Sequence, residues 1–215
     1  MKLPYHVAIE GTIGVGKTSL ANILGKRLEA KIILEEFEEN PFLVDFYYNP
    51  ERFAFQTQLY FLLSRYRQQQ EFHQTDLFTK TLITDYMFVK DRLFAALNLS
   101  DKEMSLYNSV ATILEKNITV PDLVIFLQAD TDRLMENIKN RGRDYEKTIG
   151  WNYIDALNQV YNEYFFRYDR SPLLIINSNH IDFVNNQDDL EEIILFIRTP
   201  GEGTRYFNPM KSLEQ

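Results

Sequence analysis

Cysteine is absent from the chain. That excludes disulfides and thiolate metal sites. Positive charge is scarce as well: 23 lysines and arginines stand against 31 acidic residues, a formal charge of −8. A generic nucleic-acid binder needs a basic surface, so that class is set aside, while a local basic patch for phosphates stays compatible with the total. No apolar run approaches about 18 residues, so no transmembrane helix is expected. The N-terminus lacks a signal peptide's long apolar segment and enters a strand-like run almost at once. A cytoplasmic protein with no membrane partner is the expectation. No repeat and no low-complexity linker divides the 215 residues, which suffice for one domain with a three-layer core.

What is present begins with Glu10-Gly11-Thr12-Ile13-Gly14-Val15-Gly16-Lys17-Thr18-Ser19. Gly11, Gly16, Lys17 and Thr18 fit the phosphate-loop pattern G-x-x-x-x-G-K-[ST]. Glycines permit turns that a Cβ would oppose. Backbone N–H groups can then converge on an anion at the N-terminus of the next helix. Lys17 can reach terminal phosphates, and the Thr18 hydroxyl can coordinate Mg²⁺. Tyr5-His6-Val7-Ala8-Ile9 reads as the strand before the loop. Leu20, Ile23, Leu24 and Leu28 share one face of a helix after it. The dinucleotide pattern G-x-G-x-x-G fails, because Ser19 stands where a third glycine or alanine belongs.

Strand-like and helical runs alternate, which predicts an α/β fold with a mainly parallel sheet. Strands are expected at 4–9, 31–35, 81–84, 122–127 and 172–177. Helices are expected at 17–29, 50–70, 86–97, 101–116, 131–140, 151–168 and 187–197. Ligands of such sheets bind beyond the carboxyl ends of the strands, which selects Glu35, Asp85, Gln128, Asp130 and Asn177. Phosphoryl transfer needs an acceptor for the attacking hydroxyl's proton and anionic help with Mg²⁺. Thr18, Glu35 and Asp85 are the expected metal neighbours. Against this, Glu35 sits among Glu36, Glu38 and Glu39, as a plain solvated acid would.

Arg141-Gly142-Arg143-Asp144-Tyr145-Glu146 follows an amphipathic helix. Its guanidinium forks suit phosphate oxygens, so it reads either as a lid or as an exposed helix end. The aromatic stretch from Arg52 to Gln70 carries Gln58 and Arg65, seven residues apart and hence on one face. Two solvated side chains are the plainer account there, and a pair reading a nucleobase edge is the sharper one.

Together these segments resemble the deoxynucleoside kinase family, and bacterial deoxyadenosine/deoxyguanosine kinases most of all. The resemblance rests on the glycine loop, on Asn40-Pro41-Phe42-Leu43, on Phe46 to Gln58, on Asp85-Tyr86-Met87-Phe88-Val89-Lys90-Asp91-Arg92-Leu93-Phe94-Ala95, and on the segment Arg141–Glu146. It spans about residues 5–198. It implies a P-loop kinase three-layer sandwich with a five-stranded parallel sheet and a short arginine-containing lid. The domain would be 1–198, with a tail at 199–215.

By that resemblance, ATP with Mg²⁺ phosphorylates the 5′-hydroxyl of a deoxynucleoside in nucleotide salvage, with the chain as a homodimer. Glu35 takes the place of the general base, although Glu36 replaces the family's usual proline. Lys17, Arg141 and Arg143 would stabilise the transferred charge. The loop Gly11, Thr12, Ile13, Gly14, Val15, Gly16, Lys17, Thr18 and Ser19 would hold the triphosphate, with Asp182 and Phe183 against its base. Tyr47 and Glu146 would hold the sugar 3′-hydroxyl. Gln58 would read the base, backed by Arg65 and Asp91, with Phe55 and Asp85 completing the substrate site. Many relatives carry an arginine directly after the acidic residue that ends the third strand, where this chain has Tyr86.

An amide at Gln58 both donates and accepts, as adenine requires. A carboxylate at Asp91 offers nothing to thymine O4. The expected substrate is a purine deoxynucleoside, deoxyadenosine first, with deoxyguanosine or deoxycytidine open. A thymidylate-kinase-like monophosphate kinase and a P-loop switch protein are the alternatives.

Overall fold

The computed structural model describes residues 5–72, 81–179, 181–199 and 201–207. Among the described residues, six parallel strands form one sheet in the order β2-β3-β1-β4-β5-β6. They are β1 His6–Glu10, β2 Lys31–Ile33, β3 Leu82–Thr84, β4 Leu123–Gln128, β5 Leu173–Asn177 and β6 Thr204–Phe207. The α-helices described there connect and cover them: α1 Lys17–Leu28, α2 Leu43–Tyr48, α3 Pro50–Phe72, α4 Lys90–Asn98, α5 Asp101–Glu115, α6 Thr131–Arg141, α7 Trp151–Phe166 and α8 Gln187–Arg198.

The central strands are apolar through their middles, as in Val7–Ile9, Leu123–Leu127 and Leu173–Ile176, because both faces are covered there. Val7, Ile9, Ile125, Leu127, Leu174 and Ile176 pack beneath Leu20 and Leu24 of α1, Leu134 of α6 and Ile193 of α8. The alternate residues Ala8, Val124, Phe126, Leu173 and Ile175 face Leu157, Tyr161 and Phe165 of α7. The period of two along each strand thus writes both outer layers of the sandwich. A further cluster joins Leu62 of α3, Ala95 of α4 and Tyr107 and Ala111 of α5.

Helix ends follow local chemistry. Pro50 opens α3, where a missing N–H costs no helical bond. Ser100 and Glu103 form a capping box on α5. Gly142 closes α6 in the left-handed region at φ 71°, a position that favours glycine.

The sheet has six strands where five are expected. The sixth lies in the expected tail, where β6 runs parallel to β5 with Leu173 opposite Thr204 and Ile176 opposite Phe207. Phe207 is buried and its ring lies 5.4 Å from that of Phe196. Arg205 donates to the carbonyls of Thr199 and Phe196 at 2.8 and 3.0 Å, tying the strand to the end of α8. The remainder of that tail, 208–215, lies outside the described residues.

Helix α2 is an addition too. Helix α4 begins at Lys90 rather than at 86, because the intervening backbone is otherwise employed. The Met87 N–H donates to Glu10 at 2.6 Å, and the Tyr86 carbonyl accepts from the Thr84 hydroxyl at 2.9 Å.

Candidate active site

Strand β1 lies between β3 and β4, so the chain leaves it in opposite directions on its two sides. A crevice opens at such a point beyond the carboxyl ends of the strands. The glycine loop fills it. Gly11, Gly14 and Gly16 all have positive φ, at 149°, 87° and 102°. A Cβ on Gly14 would lie 2.7 Å from the Leu134 carbonyl oxygen, so only glycine lets the loop pass α6. Thr12 turns inward, donating to Asn158 at 2.9 Å, while Asn158 donates to the Ala129 carbonyl. Asn137 of α6 donates to the Gly14 carbonyl at 2.9 Å.

Two cavities meet at this loop. The first is walled by Ile13, Lys17, Thr18, Glu35, Tyr47, Gln58, Phe61, Arg65, Asp85, Lys90, Arg141, Arg143 and Glu146. The second runs over the start of α1, along Gly14 to Ser19, to Ser178, Asp182 and Phe183. Lys17, Thr18, Glu35, Asp85, Arg141 and Arg143 border both.

Charged groups at the junction are closely paired. The Lys17 ammonium donates to the carbonyls of Gly11 and Thr12 at 2.8 and 3.1 Å. Burial, and then Lys90 nearby, lower its pKa to about 8 against the pull of Glu10, Glu35 and Asp85. The Thr18 hydroxyl donates to Asp85 at 2.5 Å, and the other Asp85 oxygen accepts the Glu35 backbone N–H at 2.8 Å. On Glu35, one oxygen accepts Nε and Nη2 of Arg65 and the other accepts the Lys90 ammonium. Burial pushes the Glu35 carboxyl up, but Lys90 and Arg65 outweigh it and hold the pKa at about 2.

Arg65 also donates to Asp91 at 2.6 Å, and the Tyr107 hydroxyl donates to the other Asp91 oxygen at 2.7 Å. Burial raises Asp91 to about 6. Gln58 is buried, and among the described residues its Oε1 has no hydrogen-bond partner. At the far wall, Glu146 accepts from Arg141 at 2.6 and 3.0 Å and from Arg143 at 3.4 Å. Tyr47 stacks on Tyr145 at 5.7 Å.

Most of the expected site residues therefore share one crevice, with some corrections. Phe55 packs in the cluster with Leu62 and Tyr107 rather than in the cavity. At about 100° per residue, Phe61 lies to one side of Gln58 and Phe55 to the other. Asp91 stands behind Arg65, fully buried, and does not border the cavity. Glu35 faces two cations, and among the described residues no cluster of three His, Asp or Glu side chains forms a metal cage. Gln128 is engaged by Asn162, Asn177 accepts from the Asn179 N–H, and Asp130 precedes α6.

Glu10 and Asn158 carry no expected role from the pattern of residues, yet both hold the loop in place. Glu10 accepts the N–H groups of Gly11 and Met87 at 3.1 and 2.6 Å. Its position inside an apolar strand, one residue before the loop, was the available signal.

Comparison with known proteins agrees with this geometry. The family model for deoxynucleoside kinase matches residues 7–199. The chain is 32% identical to the deoxyguanosine kinase of Bacillus subtilis (strain 168), with 89% of this chain and 95% of that one covered. It is 35% identical to the deoxyadenosine kinase of Dictyostelium discoideum, over 94% of this chain and 82% of that one. The solved structure of M. mycoides deoxyadenosine kinase with products dCMP and a flexible dCDP superposes with a TM-score of 0.78 at 26% identity, covering 90% and 99% of the two chains. The same enzyme with bound dATP gives 0.76.

Proposed function

The chain belongs to the deoxynucleoside kinase family, and from that premise we propose that it transfers the γ-phosphoryl group of ATP to the 5′-hydroxyl of a purine deoxynucleoside, deoxyadenosine first. The observation that carries the acceptor is Gln58. Its buried Oε1 has no partner among the described residues, and an unpaired buried acceptor is costly. An amide at the wall of a cavity, backed by an arginine that is itself fixed, suits the donor and acceptor edge of adenine. The names of the similar enzymes, which include deoxyadenosine and deoxyguanosine kinases, support the purine class.

In this reading the first cavity holds the nucleoside. Glu35 accepts the hydrogen of the 5′-hydroxyl, and Arg65 fixes the carboxylate in place. Tyr47 and Glu146 face the sugar 3′-hydroxyl. The second cavity, which we read as a P-loop donor site, holds the triphosphate. The Gly11 to Ser19 loop offers its N–H groups and Lys17 to the phosphates, and Asp182 and Phe183 border the base. Two features fit that occupant. The buried Ser178 hydroxyl in the same cavity has no partner among the described residues. A Cβ on Gly16 would lie 3.2 Å from the Phe183 ring, so glycine leaves the passage open.

Mg²⁺ fits the Thr18–Asp85 pair, since it takes one or two protein oxygens and completes its shell with phosphates and water. Bound there, it would neutralise charge on the β- and γ-phosphates. Arg141 and Arg143 act as a short lid, exchanging Glu146 for phosphate oxygens. The kinase domain would take in β6. A homodimer belongs to the same reading, supported by the exposed Leu106 and Ile113 on one face of α5.

Steady-state phosphorylation of the four deoxynucleosides with ATP tests the proposal. Deoxyadenosine is expected to give the highest kcat/KM. Thymidine as the best substrate would sink the Gln58 reading. ADP release independent of any nucleoside would favour the switch alternative, and dAMP outpacing deoxyadenosine would favour a monophosphate kinase.

A further inference from the structure

Lys90 has no task in the reading above, yet its placement is costly. Its side chain is buried, and it stands in the first turn of α4, where a cation is opposed by the helix dipole. Among the described residues, five cations border the acceptor cavity. Arg65 is divided between Glu35 and Asp91, and Arg141 and Arg143 share Glu146. Lys17 sits on the loop at the donor side. Lys90 is the one whose ammonium rests on the second Glu35 oxygen.

That oxygen decides the matter. The first Glu35 oxygen is filled by two Arg65 donors. A 5′-hydroxyl seeking Glu35 must come to the second one, where Lys90 already stands. An ammonium has three N–H donors, so one can stay on Glu35 while another points to whatever the hydroxyl attacks. The flexible four-carbon stem allows the small shift that makes room.

We propose that Lys90 is a catalytic residue that donates to an equatorial oxygen of the transferred phosphoryl group from the acceptor side, facing Lys17 across it. This rests on the kinase reading. In the step, the 5′-oxygen bonds to the γ-phosphorus as the bond to the β–γ bridging oxygen breaks. The hydroxyl proton passes to Glu35, the leaving ADP keeps the bridging electron pair, and Lys90 remains an ammonium throughout. Its charge balances the negative charge that three phosphoryl oxygens bring beside Glu35. Tyr86, immediately after Asp85, takes no part: it is fully buried in the cluster with Phe72 and Leu82.

The test compares wild type, Lys90→Met and Lys90→Arg in phosphorylation of deoxyadenosine by MgATP, with nucleoside binding followed by calorimetry. Lys90→Met keeps the stem and is expected to lower kcat by about 10²-fold or more, the scale for one transition-state donor, while Kd for deoxyadenosine stays within about 3-fold. Lys90→Arg should recover at least about a tenth of the wild-type rate, since a guanidinium also donates to phosphoryl oxygens. A kcat for Lys90→Met within about 5-fold of wild type overturns the proposal. So does a loss of rate and of binding together that Lys90→Arg fails to rescue, which marks a structural strut. Should Lys90→Met fail to fold, Lys90→Gln and Lys90→Arg decide by the same split. A wild-type protein that makes no dAMP would instead refute the kinase reading.

Discussion

At Glu35 two opposing effects act on one carboxyl, and the cations win. The group is therefore ionised throughout the working pH range and is a weak base. In a loose phosphoryl-transfer transition state the proton leaves late, so alignment of the hydroxyl matters more than basicity. Glu35→Gln is expected to lower kcat by about 10²-fold with a smaller change in deoxyadenosine binding. Near wild-type turnover would move the role to Asp85.

His6 shows the reverse balance. Its ring is buried against Phe72 and Thr84. Burial lowers its pKa from 6.5 to about 4, although Asp122 pulls the other way. The unfolded chain thus takes up a proton near pH 6.5 that the folded chain refuses. This contribution to stability is complete above the unfolded pKa and is lost as pH falls towards about 4, at most roughly 3 kcal/mol. Urea unfolding at pH 7 and pH 4.5 should show a larger acid loss for wild type than for His6→Gln. Equal losses would contradict it.

Among elements, β6 is the least expected and the most exposed to test. Phe207 carries most of its burial. Phe207→Ala is expected to cost about 3 kcal/mol in chemical denaturation, the usual scale for an emptied aromatic site. A cost under about 0.5 kcal/mol would mean that the strand is not firmly docked. Its obscurity in the sequence has a physical cause. Strands β4 and β5 announce themselves because both faces are buried, giving unbroken runs such as Leu123 to Leu127. Edge strand β6 has four residues directly after Gly201 and Gly203, and it owes its place to Arg205 and Phe207 meeting α8. Helix α2 has six residues, too few for a periodic pattern. The start of α4 depends on Glu10, far away in sequence.

For the molecule as a whole, the fold class and most of the candidate site were legible because the glycine loop and the alternation of strand-like and helical runs are local signals. The seven-residue spacing of Gln58 and Arg65 also placed both on the cavity wall. What one helix face could not show was which aromatic ring lines it, since Phe55 and Phe61 flank Gln58 alike until α5 claims Phe55. Nor could spacing show that Lys90 would share Glu35 with Arg65. A crevice joining so many elements links binding to global stability. Deoxyadenosine at about 100 times its Kd should add about 2.7 kcal/mol, or roughly 5–10 °C in Tm for a chain of this size. Thymidine at the same concentration should leave Tm nearly unchanged in a thermal-shift measurement, and an equal shift would count against base reading by Gln58.

Of the strands described, a central one, β1, is synthesised before its neighbours β3 and β4. Val7 pairs with Ile83 on one side and Leu123 on the other. During translation β1 therefore leaves the ribosome apolar on both faces with neither neighbour yet made. Such a strand is a binding site for chaperones, and long-range parallel pairing is slow to form. Ribosome-stalled chains ending before β4 should be digested readily by protease and retain no nucleotide, while chains stalled well beyond β5 should resist. Protection of the shorter chains would mean that the loop can be shaped without its sheet.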